Sequence, residues 1–278
     1  MIRLVLVDID GTLYGPKGVP ECAWEAAEAA RAAGLHLSVC TGRPGRGFAF
    51  EYARRLDPKG LHIFENGAVV LGGDGSIHKA ERMGFKSYEE LVSIARRYGL
   101  DLEVYTAEGG YYVEANTPEI RQHETMIGLE AERCDLLELS AQPVRAQFVV
   151  RDGPNWQTAR AQIAQVGGVE LHEATSPGMP GVIFASVTAW HTSKRSSAKW
   201  VAAQYGLALA QVAMVGDGEN DLELIRASGL GIAMGEAPDS VKQAAYYVVG
   251  TVEGCGLAEA LRLAREFPQT LGEGEASA

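Results

Sequence analysis

The chain has 278 residues, 46% apolar and 22% charged, an ordinary globular composition that excludes global disorder and low-complexity classes. Its length suits one large or two medium domains at roughly 100–200 residues each, and we expect two. With 25 basic against 36 acidic residues the net charge is −11, so the field of the whole molecule opposes nucleic acid and anionic membrane, and an anionic substrate needs a local positive site.

In chain order, Leu4–Val7 is a short apolar strand that ends at Asp8. It falls short of the roughly 7–15 apolar residues of a signal segment, and no other stretch approaches the roughly 20 of a membrane helix, so a cytoplasmic protein is expected. A helix opens near Pro20, runs through 23–33 and stops at Gly34; 35–40, Leu61–Phe64 and 68–71 have strand length. Strand–helix–strand order predicts a parallel sheet with a right-handed crossover.

From residue 83 to 187 the pattern changes. Ser87-x-x-Glu90 reads as a capping box that starts a helix through Tyr98. Candidate strands 102–105 and 111–114 meet across Gly109-Gly110, Thr117-Pro118-Glu119 starts another helix, and 146–150, 169–172 and 182–186 are strands around a helix at 155–166. Consecutive strands mixed with helices predict an α+β insert on an antiparallel sheet. The first pattern then returns. A helix closes at 201–205, strands follow at 212–215 and Leu230–Ala233 around a helix at Leu222–Ala227, and 246–249 and 257–266 are a last strand and helix. We therefore expect a doubly wound α/β core from 1–82 and 188–278, an insert at 83–187, and a frayed tail from Gly272 to Ala278. Cys22, Cys40, Cys134 and Cys255 are far apart and form no C-x-x-C pair, so all four are expected to be reduced thiols.

Chemistry-bearing residues cluster where strands end. Asp8-Ile9-Asp10-Gly11-Thr12-Leu13 follows the first strand and places two acids at the carboxyl edge of the sheet, where open α/β sheets hold ligands. Gly11 permits an abrupt exit, and the Thr12 hydroxyl is expected to hold the turn. Two acids alone are equally well accounted for by an acidic turn. Cys40-Thr41-Gly42-Arg43-Pro44 ends the second strand; the Thr41 hydroxyl and the Gly42 backbone make a short cradle for phosphate oxygens, although Thr-Gly also serves as a plain cap. Lys194 opens a helix whose dipole opposes its charge, so an anion would compensate it. Val215-Gly216-Asp217-Gly218-Glu219-Asn220-Asp221 gathers acids and an amide at a strand end, hard oxygen ligands of the kind Mg²⁺ takes.

Together, in this order, the four patterns resemble the haloacid-dehalogenase-like (HAD) phosphohydrolases, and the position of the insert, after Asn66-Gly67-Ala68 and before Lys194, resembles the Cof-type branch with its large α/β cap. Arg195 and Glu236 stand where that branch commonly has glycine and asparagine. The resemblance implies Asp8 as nucleophile, Asp10 as general acid/base, Thr41, Gly42 and Lys194 as phosphate ligands, and Asp8, the backbone carbonyl of Asp10 and Asp217 as holders of Mg²⁺, with Asn220 and Asp221 in support. Arg43 and Asn66 resemble substrate-facing positions, and Tyr111, Tyr112, His123, His172 and the loop at 176–181 are cap candidates. The implied activity is hydrolysis of a small phosphorylated metabolite, a sugar phosphate or phosphoglycolate-like ester, through an aspartyl-phosphate. A phosphosugar mutase of the same superfamily and a noncatalytic phospho-receiver or metal-binding module are the alternatives.

Overall fold

The structure, a computed structural model, describes residues 1–176 and 178–268. The chain runs β1 (Leu4–Val7), α1 (Glu21–Ala32), β2 (His36–Val39), α2 (Gly47–Leu56), β3 (Leu61–Phe64), β4 (Val69–Gly72), β5 (Ile77–Ala80) and α3 (Phe85–Tyr98). It continues through β6 (Asp101–Thr106), β7 (Tyr111–Val113), α4 (Pro118–Ile127), β8 (Glu132–Arg133), β9 (Pro143–Arg151), α5 (Pro154–Ile163), β10 (Val169–Thr175) and β11 (Val182–Ala189). Last come α6 (Lys194–Gln204), β12 (Val212–Gly216), α7 (Leu222–Ala227), β13 (Leu230–Ala233), α8 (Asp239–Ala244), β14 (Tyr247–Val248) and α9 (Gly256–Glu266). The tail from Gly272 lies outside the described residues. Among those described, no helix is long and apolar enough to cross a membrane.

Packing divides the chain into two compact units, Met1–Cys40 with Ala53–Leu61 and Ala198–Ala278, and Thr41–Tyr52 with His62–Ser197. The first unit is built on a parallel five-stranded sheet in the order β14-β13-β12-β1-β2. β1 is buried along its whole length, as a parallel strand covered on both faces must be. The alanines of α1 follow the same logic: Ala23, Trp24, Ala27 and Ala30 form the buried stripe that recurs every three to four residues. The chain passes from β1 to β2 on one side, and β12 lies on the other. The order therefore reverses beside β1, the position at which open α/β sheets bind ligands beyond their carboxyl ends.

The second unit carries a six-stranded sheet, β10-β11-β9-β6-β7-β8, antiparallel except for β7 with β8. One face is apolar: Leu102, Val104, Ala146, Phe148, Val150, Ala185 and Val187 pack under α3 and α5 with Tyr88, Leu91, Trp156 and Ile163. Strand alternation turns Glu103, Tyr105, Arg145, Gln147, Ser186 and Thr188 to the opposite face, and all six are buried. The strands at 61–64 and 69–72, expected in the core half, form a separate three-stranded sheet with β5. β4 and β5 pair as a hairpin whose turn is closed by Asp74 Oδ1 accepting from Ser76 N (3.0 Å) and by Gly75 at φ +86°.

Two local expectations are corrected. The Ser87-x-x-Glu90 box does not start α3, which begins at Phe85 behind an extended Gly84; the Ser87 hydroxyl instead donates to Gly167 O (2.7 Å) beyond α5. The cysteines are not all thiols either. Cys22 at the start of α1 and Cys255 just before α9 form a disulfide across a sequence separation of 233, with Cα atoms 6.1 Å apart, while Cys40 and Cys134 are free. The two helices pack side by side, and that brings residues from opposite ends of the chain within bonding distance. Denatured, unreduced protein should therefore titrate two thiols, not four. Cys255→Ser should lower the thermal midpoint by the equivalent of about 2–4 kcal/mol.

Candidate active site

β1 delivers Asp8 to the carboxyl edge of its sheet, where its N–H donates to Val215 O (3.0 Å) and only 5% of the residue is exposed. The chain then turns around the carbonyl of Ile9, which accepts from the amides of Thr12 (3.3 Å), Leu13 (2.9 Å) and Tyr14 (2.8 Å). Gly11 sits at φ +69°, and a Cβ there would collide with the Asp217 carboxylate. Its lack of a side chain is thus needed both for the turn and for Asp217. The Thr12 hydroxyl, expected to hold this turn, is buried without a hydrogen-bond partner; the backbone does that work. Asp10 is exposed, with its backbone bridged to Tyr14.

β12 pairs with β1 in a register that sets Val7 opposite Val215, and two residues later the chain reaches Asp217. Ligand oxygens of Asp8, Asp217 and Asp221 lie within 4.8 Å of one another. Asp221 is fully buried, and its Oδ2 accepts from Gly218 N (3.2 Å). Three carboxylates this close repel strongly in a partly buried site unless a cation compensates them, and an all-oxygen donor set is what Mg²⁺ and similar hard cations take. The cluster therefore fits a divalent metal. Asp221, expected only in support, stands among the possible ligands. Asn220 is exposed, and the Asp10 side chain does not belong to the carboxylate cluster.

In the second unit, residues 41–43, 65–67 and 193–197 come together. Thr41 is 1% exposed, and its amide donates to Ile63 O (3.0 Å). Arg43 N donates to Thr41 Oγ1 (3.2 Å), which engages that oxygen as an acceptor and leaves the hydroxyl proton to be donated. Glu65 and Asn66 have φ of 52° and 55°, followed by Gly67 at 102°. Two successive non-glycine residues in the left-handed region cost on the order of 1–3 kcal/mol each and persist only where the surroundings fix them. The fixing bonds run from Asn66 N to Thr41 O (3.1 Å) and from Glu65 N to Arg43 O (3.0 Å). A Cβ on Gly67 would strike Ser193 O, and the Ser197 hydroxyl donates to Gly67 O (2.5 Å). The turn is thereby tied to the start of α6, whose first residue, Lys194, is 4% exposed. Arg43 lies over the Phe48 ring, 4.5 Å from its centroid.

Of the cap candidates, Tyr111 and His123 are buried and both bond Glu103 Oε1, at 2.6 and 2.7 Å. Tyr112 packs against the apolar core of the sheet and His172 is exposed. Glu103 Oε2 takes two more donors, the Tyr105 hydroxyl (2.9 Å) and Gln147 Nε2 (2.8 Å). Burial works to raise the Glu103 pKa, but His123 and the tyrosine hydroxyls outweigh it and hold the carboxyl below its ordinary value. Sequence reasoning passed over Glu65 and Arg145, which form a buried ion pair at 2.7 Å. The available signal was the polar alternation Arg145, Gln147 inside the apolar strand β9. Burial pushes the Glu65 carboxyl up to about 7 against the pull of Arg145, with Glu103 adding to the rise.

A family of haloacid dehalogenase-like hydrolases matches residues 5–261. The chain belongs to the haloacid dehalogenase-like hydrolases. The 5-amino-6-(5-phospho-D-ribitylamino)uracil phosphatase YcsE of Bacillus subtilis is 37% identical over 264 residues, 94% of this chain and 95% of that protein. The phosphoglycolate phosphatase of Archaeoglobus fulgidus is 28% identical over 261 residues, 94% and 96% of the two chains. Among solved structures, the subclass IIB sugar phosphatase BT4131 superposes with a TM-score of 0.78 at 23% identity over 94% of this chain and 98% of that one. The parallel core sheet with an inserted mixed sheet is the subclass IIB, or Cof-type, architecture, and the chain is a phosphatase of this superfamily acting on small phosphorylated metabolites. The family implies a divalent metal, and the Asp8, Asp217, Asp221 group could bind it.

Two outcomes follow from the polar geometry. Thr12→Val removes a buried hydroxyl that has no partner, so the thermal midpoint should stay or rise; a loss worth more than about 1 kcal/mol would show that the hydroxyl is bonded after all. The raised Glu65 pKa means that the folded chain holds this proton more tightly than the unfolded one. Its stabilising contribution is full below the ordinary 4.5 and is lost as pH climbs to about 7. Thermal midpoints recorded across that window should fall for the wild type relative to Glu65→Gln.

Proposed function

We propose that the chain hydrolyses a phosphomonoester of a sugar, or a phosphoglycolate-like ester, with Asp8 as nucleophile and Mg²⁺ as the metal. The observation that carries this reading is the convergence of Asp8, Asp217 and Asp221 within 4.8 Å at the carboxyl edge of a parallel sheet. A phosphomonoester dianion repels an attacking carboxylate, and a bound Mg²⁺ would screen that repulsion and polarise the phosphoryl oxygens. Asp8 and Asp217 would hold it with the Asp10 carbonyl, and Asp221 would assist.

Asp8 attacks phosphorus in line, the P–O bond to the leaving group breaks, and an aspartyl-phosphate forms, which divides one difficult displacement into two. Asp10 gives its proton to the departing oxygen. It then takes a proton from the water that attacks phosphorus and releases inorganic phosphate and the Asp8 carboxylate. Thr41, Gly42 and Lys194 are assigned to the phosphoryl oxygens, where fixed donors and a positive charge matter most as charge shifts. Arg43, Asn66 and the cap, residues 83–187, are assigned to the non-phosphate part of the ester. The phosphoglycolate and ribitylamino-pyrimidine esters named for the two relatives motivate the substrate range.

Phosphate release should be measured over a panel of sugar phosphates, phosphoglycolate and phosphorylated ribityl compounds, with Mg²⁺ and again with chelator. Turnover on at least one member, abolished by chelator, is expected; chelator-resistant turnover would refute the metal assignment. Asp8→Asn should lower kcat by on the order of 10⁴-fold or more, and Asp10→Asn by roughly 10²–10⁴-fold. A mutase would instead need a bisphosphate activator and release little phosphate.

A further inference from the structure

We propose that Arg145 and Glu65 are the positioning pair of the Thr41-Gly42-Arg43 loop and set how well that loop takes a phosphate group, an inference that rests on the phosphate-binding role given to the loop above. Three successive loop carbonyls are each held by a donor. Thr41 O accepts from Asn66 N (3.1 Å), Gly42 O from Arg145 Nη1 (2.9 Å) and Arg43 O from Glu65 N (3.0 Å). The peptides are trans, so fixing each carbonyl fixes the opposed N–H of the following residue. Arg43 N–H goes to Thr41 Oγ1, and Pro44 has no N–H. The Gly42 amide and the Thr41 hydroxyl proton are therefore the donors this loop can aim at a phosphate oxygen.

The middle carbonyl is the one that the 65–67 turn does not reach. Arg145 supplies that bond, and the same guanidinium faces the Glu65 carboxylate as an ion pair, Nε 2.7 Å from Oε2 without hydrogen-bond alignment, with both side chains about 5% exposed or less. One planar group thus grips the loop and the strained turn that donates to it. The Nη1 donor and the charge that faces Glu65 belong to one rigid plane, which a lysine ammonium cannot imitate. Its own orientation is fixed in turn: it lies 4.2 Å over the Tyr105 ring and donates to Gln147 Oε1 (3.2 Å), and Tyr105 and Gln147 are both held by Glu103 Oε2. The buried polar face of the six-stranded sheet so ends, residue by residue, on the Gly42 carbonyl.

The charge that Arg145 meets is the Glu65 carboxylate. Glu65 is faced by Arg145 from β9 and by Glu103 and Tyr105 from β6, and His123 from α4 reaches Glu103. Protonation of Glu65 removes the negative partner of the Arg145 guanidinium, which stays charged, much as Glu65→Gln would at any pH.

The test uses the full chain with Mg²⁺ and inorganic phosphate as the probe, its affinity measured by calorimetry, beside kcat and KM on whichever ester is hydrolysed. Arg145→Lys should weaken phosphate binding and kcat/KM about tenfold or more, with a thermal midpoint close to wild type. Below pH 7 Glu65→Gln should match wild type in both, and above it Glu65→Gln should fall behind, so the ratio of wild-type to Glu65→Gln kcat/KM should rise from near one as pH passes about 7; the ratio cancels titration of the substrate itself. An Arg145→Lys protein that binds phosphate and turns over like an active wild type overturns this inference and leaves the phosphatase reading intact. If Arg145→Lys does not fold, a pH-independent ratio overturns it. A wild type that binds phosphate but hydrolyses nothing defeats the functional reading alone, and the two phosphate affinities still decide the role of Arg145.

Discussion

Like charges close together in a partly buried place are the constraint on which the first unit turns. Asp8, Asp217 and Asp221 bring three carboxylates within 4.8 Å, and the backbone around them is shaped to permit it. The parallel register of β1 with β12 delivers two of them side by side. Gly11 withholds the side chain that would occupy the place of Asp217. Repulsion of this kind is what a bound cation relieves. The mutual repulsion of the three carboxylates is what would favour a divalent cation there, in keeping with the metal that the family implies.

The second unit solves a different problem, that of making a short loop rigid without secondary structure. Loops are ordinarily the mobile part of a fold. Here each carbonyl from Thr41 to Arg43 has a donor, and two of the donors come from a turn that is itself held in the left-handed region. Loop and turn each supply the bonds that the other lacks, and Arg145 closes the arrangement from the sheet.

Behind that loop lies a buried polar face with a filled acceptor at its centre. Glu103 takes four donors on two oxygens, so a charge that burial would penalise is satisfied. The same low polarity that makes an unpaired group costly strengthens each of these bonds. Thr188, opposite Arg145 across the β9–β11 pairing, is buried without a partner and shows that the satisfaction of this face is not complete.

Local patterns in the sequence were enough to locate β1, β3, α7 and β13 at their residues, to place the insert on a largely antiparallel sheet, and to mark Asp8, Asp217, Thr41 and Lys194 at strand ends and helix starts. Apolar period, cap chemistry and glycine turns act within a few residues, so the chain itself displays them. What it does not display is which distant residues meet. The Cys22–Cys255 disulfide spans 233 residues, Arg145 lies 103 residues beyond Gly42, and Ser87 and the Thr12 hydroxyl have local motifs that the fold leaves unused. Only the tertiary structure decided these. Helix packing and strand register choose partners by shape and burial over the whole chain, and a buried polar group takes the donor that packing brings to it, whatever its neighbours in sequence.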